Sequence, residues 1–336
     1  MKIPTIELRE RHRRLSDNAI QRRHVVSANK RRKRTEARIR IPTTARRIAL
    51  PSELLFNGDD DSRKKFDKFV SDVEVTLITG RGVLVDLEGV KTLFPCGLLL
   101  LMGHVNSWIA RFPSRLTANY PTDDAVEQML QQVGVLKSFG LRARTSISHA
   151  TVTQWQYFTG TQVDAHEMVP FMDKLSERIG REKQSILYES VSEAITNVRQ
   201  HAYTEGESTP WWMFAIISES KIIVAIYDRG ASIPATLLEK PGIQEQMEKW
   251  FAGRKKRDAW LIQAAINGRS STKLSYRGKG LSEMLESTKL VPGSVLAIFS
   301  REGMFNYERT SDKAKCARLI VPIVGTLVLW QLNMPE

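Results

Sequence analysis

Cysteine is almost missing from this chain. Cys96 and Cys316 are its two, far apart and each in apolar surroundings. No CxxC and no Cys/His cluster occurs, which argues against a structural zinc. Such low cysteine use fits a reducing, cytoplasmic compartment. Long apolar runs are missing as well. Leu98–Met102 and Leu319–Trp330 are too short, or too broken by Pro322 and Gly325, to span a bilayer. The first 30 residues hold no apolar segment of a secretory leader. The expectation is a soluble protein with no membrane partner.

Aromatic residues are absent from residues 1–47. That argues against single-strand base stacking by this stretch. What it does hold is positive charge, in RERHRR, QRRH and KRRKR. Residues 1–50 carry 16 of the 50 Lys and Arg but only 4 of the 37 acidic residues. The remainder is balanced, 34 against 33, so the pI of about 9.8 belongs to this arm alone. Three readings stand for residues 1–47. They are a phosphate-contacting arm with little sequence preference, a solvated and partly disordered tail, or an arm that docks on an acidic partner protein.

At 336 residues and 42% hydrophobic, the chain is long and apolar enough for about two cores on a prior of ~150 residues each. Pro42 and Pro51 bracket the change from arm to folded body. Residues 62–74 read as an amphipathic helix with Phe66, Phe69 and Val70 on one side. Gly82–Glu88 is a short buried strand, Gly97–Arg111 an apolar helix, Arg115–Tyr120 a second strand and Asp123–Val133 a second helix. Strands alternating with helices imply parallel pairing in an α/β layer. Residues 143–164, rich in Thr, Ser and Gln, read as a linker with a connecting strand and turn. A further helix is expected over 166–179.

The second half is organised around Glu189–Tyr203, ESVSEAITNVRQHAY. As a helix it has an apolar stripe of Leu187, Val191, Ala194, Ile195, Val198 and Ala202. Glu189, Glu193, Asn197 and His201 step by four along a neighbouring ridge. Glu193 and Asn197, one turn apart, present a carboxylate and an amide oxygen to one small volume, which suits a general base beside a hard-metal ligand. Alone, the segment reads as an amphipathic helix with ordinary polar residues. Two strands follow, Trp211–Ser218 and Lys221–Tyr227, and the second runs into Asp228-Arg-Gly-Ala-Ser-Ile-Pro234. That places a carboxylate and a bare backbone at a sheet edge. A helix from about Gln244 and another through Ala264–Ile266 come next. Tyr276-Arg-Gly-Lys-Gly-Leu281 then opens a helix over Leu281–Thr288. Glycines before a helix N-terminus let N–H groups approach an anion, with Arg277 and Lys279 adding charge. The end reads as four strands: Val295–Ser300, Phe305–Tyr307 after a Glu302-Gly303 turn, and Leu319–Val324 and Thr326–Gln331 around Gly325.

Two resemblances attach to these residues. The order strand, loop, Cys-Gly, apolar helix over about residues 60–140 resembles the STAS domain of anti-sigma-factor antagonists. There a Ser-Ser-Gly loop opens the helix and its second Ser accepts phosphate. Here Pro95-Cys96-Gly97 stands in its place, so a buried packing role is expected for Cys96 and no phosphorylation switch. EAITNVRQHAY, DRGASIP, RGKGL and a late Gly-Thr, in that order over residues 165–336, resemble the GHKL superfamily of Bergerat-fold ATPases. The anti-sigma-factor serine kinase branch is the most similar. That resemblance implies an α/β sandwich binding ATP and Mg²⁺ under a lid. It implies that Glu193 activates the attacking water or hydroxyl and that Asn197 supplies an oxygen to Mg²⁺. It implies that Asp228 accepts from the adenine amino group, that Gly230 packs against the purine, and that Thr326 supports the adenine contact through water. Gly278 and Gly280 match the glycine box that closes over the phosphates. Ser232 departs from the pattern, standing where the family has a second glycine.

The organisation expected is therefore a basic arm at 1–50, a STAS-like α/β domain at 51–142, the linker, and a GHKL ATPase domain at 165–336. Three functions follow from it. One is an ATP-dependent regulatory switch working through slow hydrolysis and lid closure over residues 240–280. Another is a protein serine/threonine kinase acting on a partner protein. The third is a nucleotide-holding module whose arm contacts nucleic acid. No dimerisation helix bearing a phosphoacceptor His precedes the ATP domain, which argues against histidine kinase activity. A regulatory or STAS-like protein is the expected partner, and a homodimer is compatible with the sequence.

Overall fold

A computed structural model describes residues 45–55, 60–160, 173, 210–218, 220–239, 257–267 and 280–333. The stretch 189–203, the helix expected over 166–179 apart from residue 173, the helix expected from Gln244, and the segment 268–279 lie outside the described residues. So does the arm up to residue 44.

The first layer is β1 (Arg46–Ala49), β2 (Glu53–Leu54), α1 (Asp60–Ile78), β3 (Val83–Asp86), β4 (Thr92–Leu93), α2 (Pro95–Arg111), β5 (Leu116–Ala118), α3 (Asp124–Gln132) and α4 (Val135–Ser138). β1, β3 and β5 form a parallel sheet in the order β1-β3-β5, and β2 pairs with β4, also in parallel. Each return between paired strands of the larger sheet passes through a helix, as parallel pairing requires. The central strand is buried on both faces, which is why Val83, Leu84 and Val85 show no alternation. α1 is longer than its apolar stripe indicated. Phe66 and Phe69 are buried on it against His104 and Trp108 of α2.

α2 begins at Pro95, where a missing N–H costs nothing, and is buried along most of its length. Cys96 is 2% exposed, and burial pushes its thiol up to about 12, so it packs and does not react. At Gly97 an added Cβ would lie 2.5 Å from the Leu54 carbonyl oxygen. Alanine is ordinarily the better helix residue, yet Gly97→Ala should destabilise the protein by about 2 kcal/mol, because the clash is with backbone. Urea denaturation of the two proteins checks this. α3 is capped by Asp123, whose carboxylate accepts from the Val126 N–H at 3.0 Å. The chain beyond is stitched to α3. Gln128 Oε1 accepts from the N–H groups of Ser148 and His149, each at 2.8 Å, and the Arg144 guanidinium forks onto buried Glu127.

The second layer comprises α5 (Ala150–Thr153), β6 (Trp155–Gly160), β7 (Trp211–Ile217), β8 (Lys221–Asp228), α6 (Ile233–Leu238), α7 (Arg257–Ile266), α8 (Gly280–Leu290), β9 (Val295–Glu308) and β10 (Lys313–Asn333). The sheet is antiparallel in the order β6-β7-β8-β10-β9. The architecture is thus mixed α/β, with a parallel and an antiparallel sheet.

The larger sheet is covered on both faces. Ile222, Val224 and Ile226 of β8 join a core with Ile262 and Ile266 of α7, Met284 and Leu285 of α8, and Trp330 of β10. The Trp330 indole donates to Thr288 Oγ1 at 2.9 Å and fixes α8. The intervening Ile223, Ala225 and Tyr227 face the opposite side, where α2 packs on β7 and β8. β8 is buried from its second residue to its last, so it too reads as a continuous apolar run.

The last two strands differ from the four expected. β9 and β10 each run unbroken, joined by a turn at residues 309–312. Gly303 does not turn the chain. It lets the N-terminus of α7 approach, since a Cβ there would lie 2.6 Å from the Asp258 carbonyl carbon. Gly325 also stays within its strand, at φ +78°. Register slips between Arg318 and Ile323 and between Ile323 and Thr326 absorb the bend.

Candidate functional site

The C-terminal end of β8 brings the described candidates together. Asp228 is the last residue of that strand and pairs with Thr326 of β10 in the antiparallel ladder. It lies on the same face as Ile222, Val224 and Ile226, the face that carries α7 and α8. Its side chain is only 3% exposed. The Gly230 N–H donates to Asp228 Oδ1 at 2.9 Å. Burial pushes the carboxyl up to about 7, against the pull of the Gly230 and Thr326 backbone N–H groups. A donor brought to it favours the charged form.

Thr326 is 9% exposed and belongs to a small hydroxyl network. Ser300 Oγ donates to the Gly325 carbonyl at 3.1 Å and accepts from the Ile233 N–H at 3.1 Å. It also meets Thr326 Oγ1 at 3.1 Å. A hydroxyl has one proton, and Ser300 uses it on a carbonyl that can only accept. Thr326 is then the donor to Ser300, which leaves Thr326 Oγ1 with accepting lone pairs. Asp228 and Thr326 thus place two acceptors side by side at the end of the sheet. That arrangement suits a ligand edge carrying an amino group, directly or through water.

Gly325 makes the pairing possible. A Cβ there would lie 2.1 Å from the Asp228 carbonyl oxygen and 2.7 Å from Arg229 Cα. Ser232 has extended backbone, φ −78° and ψ 154°, so glycine's freedom is not needed there. Its Oγ accepts from the Ala235 N–H at 3.2 Å and caps α6, with Pro234 in the first turn.

Gly280 opens α8, which packs on α7 and β9. Glu193, Asn197, Arg277, Gly278 and Lys279 lie outside the described residues. Among the described residues no group of three or more His, Cys, Asp or Glu side chains is placed to hold a metal ion. Nor is any helix among them long and apolar enough to cross a membrane. Two members of the cluster were not singled out from sequence as site residues, Ser300 and Gly325. Ser300 gives no signal, being one hydroxyl at the end of an apolar strand.

No protein-family model matches the chain, and no curated protein matches it in sequence. The functional reading therefore rests on the motifs and on the geometry around Asp228.

Proposed function

We propose that this protein binds ATP at the end of the antiparallel sheet, in the manner of a GHKL ATPase, and acts as an ATP-dependent regulatory switch. The observation that carries the reading is the buried Asp228 carboxyl, held by the Gly230 N–H and paired with Thr326 at the end of a helix-covered antiparallel sheet. An adenine amino group is a donor of the right kind for it.

Within this reading, Asp228 selects the base, with Thr326 accepting beside it. Gly230 leaves room for the purine to lie on backbone. Gly278 and Gly280, flanked by Arg277 and Lys279, close over the phosphates. Glu193 takes the proton of a water whose oxygen attacks the γ-phosphorus, while the bond to ADP breaks. Asn197 would hold Mg²⁺ through its side-chain oxygen, and the ion would supply charge neutralisation at the phosphates.

Protein serine/threonine kinase activity uses the same groups with a hydroxyl in place of water. The parallel α/β layer packed on the sheet keeps that reading open, since it is the part that resembles STAS partners. The test follows γ-labelled ATP with Mg²⁺ in the native protein, Glu193→Ala and Asn197→Ala. Free labelled phosphate, reduced at least ~100-fold in both variants, is the outcome expected of a switch that hydrolyses. Label retained on this chain or on a second protein means a kinase. Binding without turnover in the native protein leaves a nucleotide-holding module.

A further inference from the structure

The bend that delivers Gly325 and Thr326 to Asp228 is held partly from the first layer. In the slipped stretch of β10, side chains claim two carbonyls. Arg63 of α1, 5% exposed, donates from Nη2 to the Val321 oxygen at 2.9 Å. The Tyr227 hydroxyl of β8 donates to the Val324 oxygen at 3.1 Å. The Tyr227 ring is fixed in turn. It stacks on Trp212 with centroids 5.7 Å apart and planes 24° apart. It also passes Gly103 of α2, where a Cβ would lie 2.6 Å from Tyr227 Cε1 and 3.0 Å from Arg229 Cδ. Arg229 is the residue after Asp228. Helices α1 and α2 thereby touch both strands whose register sets Asp228 against Thr326.

This contact is more specific than the covering of an apolar face. Arg63 is a cation at a buried helix interface, with the Asp67 carboxyl one turn away. Apolar side chains would cover the sheet without the desolvation that a guanidinium requires. Its Nη2 hydrogen bond reaches the Val321 carbonyl, four residues before Gly325.

We infer that Arg63 and Tyr227 are positioning residues for the Asp228–Thr326 pair, so that the first α/β layer sets the ligand affinity of the second. The affinity part rests on the adenine-nucleotide reading. By linkage, a ligand that tightens the pair also tightens the Arg63 and Tyr227 hydrogen bonds to β10, which gives the first layer a way to sense occupancy.

The test uses the full chain with four sequences: native, Tyr227→Phe, Arg63→Met and Phe69→Leu. Tyr227→Phe removes one oxygen and keeps the ring, so it remains informative if Arg63→Met does not fold. Phe69→Leu loosens the α1–α2 packing without touching the bend and serves as the stability control. Three quantities are read: amide exchange at Thr326 and Gly230 without nucleotide, ATP affinity by calorimetry, and urea stability. Tyr227→Phe and Arg63→Met should each speed exchange at Thr326 and weaken ATP about tenfold, the effect of one lost hydrogen bond. Phe69→Leu should lower stability and leave both unchanged. Exchange and affinity in Tyr227→Phe equal to native, or changed only in step with global stability, overturn the proposal. If native protein binds no ATP, the nucleotide reading fails. Exchange confined to Thr326 and Gly230 then still supports positioning, and uniform exchange still overturns it.

Discussion

Replacing Asp228 with Asn should abolish measurable ATP binding, a loss of at least ~100-fold, while removing this carboxyl's own contribution to the pH dependence of the unliganded protein's stability. Both effects come from one carboxyl. Charged, it accepts from an amino group, and a hydrogen bond to a charged acceptor in a dry site is worth up to about 3 kcal/mol. Asparagine also turns an amide N–H toward the base, so a donor faces a donor. The pH effect has a definite sign. The carboxyl's ordinary value is 3.8, and in the folded protein it is raised to about 7. Between those values the folded chain keeps a proton that the unfolded chain has lost. The Asp228 contribution therefore falls as pH rises through that window and levels off above it, whereas the buried His104, held down to about 3, contributes with the opposite sign. A shift of this size corresponds to a change on the order of 4 kcal/mol. Urea denaturation at a series of pH values, with calorimetric ATP titration of both proteins, measures the two effects. A native-minus-variant stability difference that is flat or rises across the window contradicts the assignment.

Gly325→Ala should be the most damaging small substitution in the second layer. It would cost about 2–4 kcal/mol and weaken ATP binding by more than its stability loss explains. Two costs add. A left-handed φ of +78° disfavours any residue with a Cβ. The Cβ would also fall 2.1 Å from the Asp228 carbonyl oxygen, which cannot swing aside as a side chain would. Relief requires β8 and β10 to separate where Asp228 meets Thr326. Amide exchange at Thr326 should then rise before that of Val328 or Trp330 in the core. Native-like exchange at Thr326 would mean that the pairing does not depend on this glycine.

The sequence made some parts of this legible and hid others for physical reasons. The helix at Pro95–Arg111 and the strands at Val83–Asp86 and Lys221–Asp228 were readable because apolar runs of the right length leave few alternatives. The capping role of Ser232 was legible in principle, since serine before Ile-Pro is a helix-start signal. Family pattern led instead to its reading as a missing glycine. In sequence Gly303 and Gly325 read as strand ends, because glycine marks turns. Only the packed structure shows that one makes room for a helix and the other for a neighbouring backbone. The pairing of Asp228 with Thr326 is set by the register of β8 against β10, strands far apart in the chain, which no local spacing encodes. The same holds for Ser300, whose importance arises from neighbours on β10 and α6.

The account turns on one comparison, calorimetric titration of the native protein with ATP and with GTP at pH 8 in the presence of Mg²⁺. Adenine brings an amino donor to the Asp228 carboxylate, whereas guanine carries a carbonyl oxygen at the corresponding ring position. ATP should bind and GTP should bind at least ~100-fold more weakly, because the carboxylate would then face an acceptor. Equal affinities, or no ATP binding up to millimolar concentration, would contradict the assignment of Asp228 as the group that reads an adenine base.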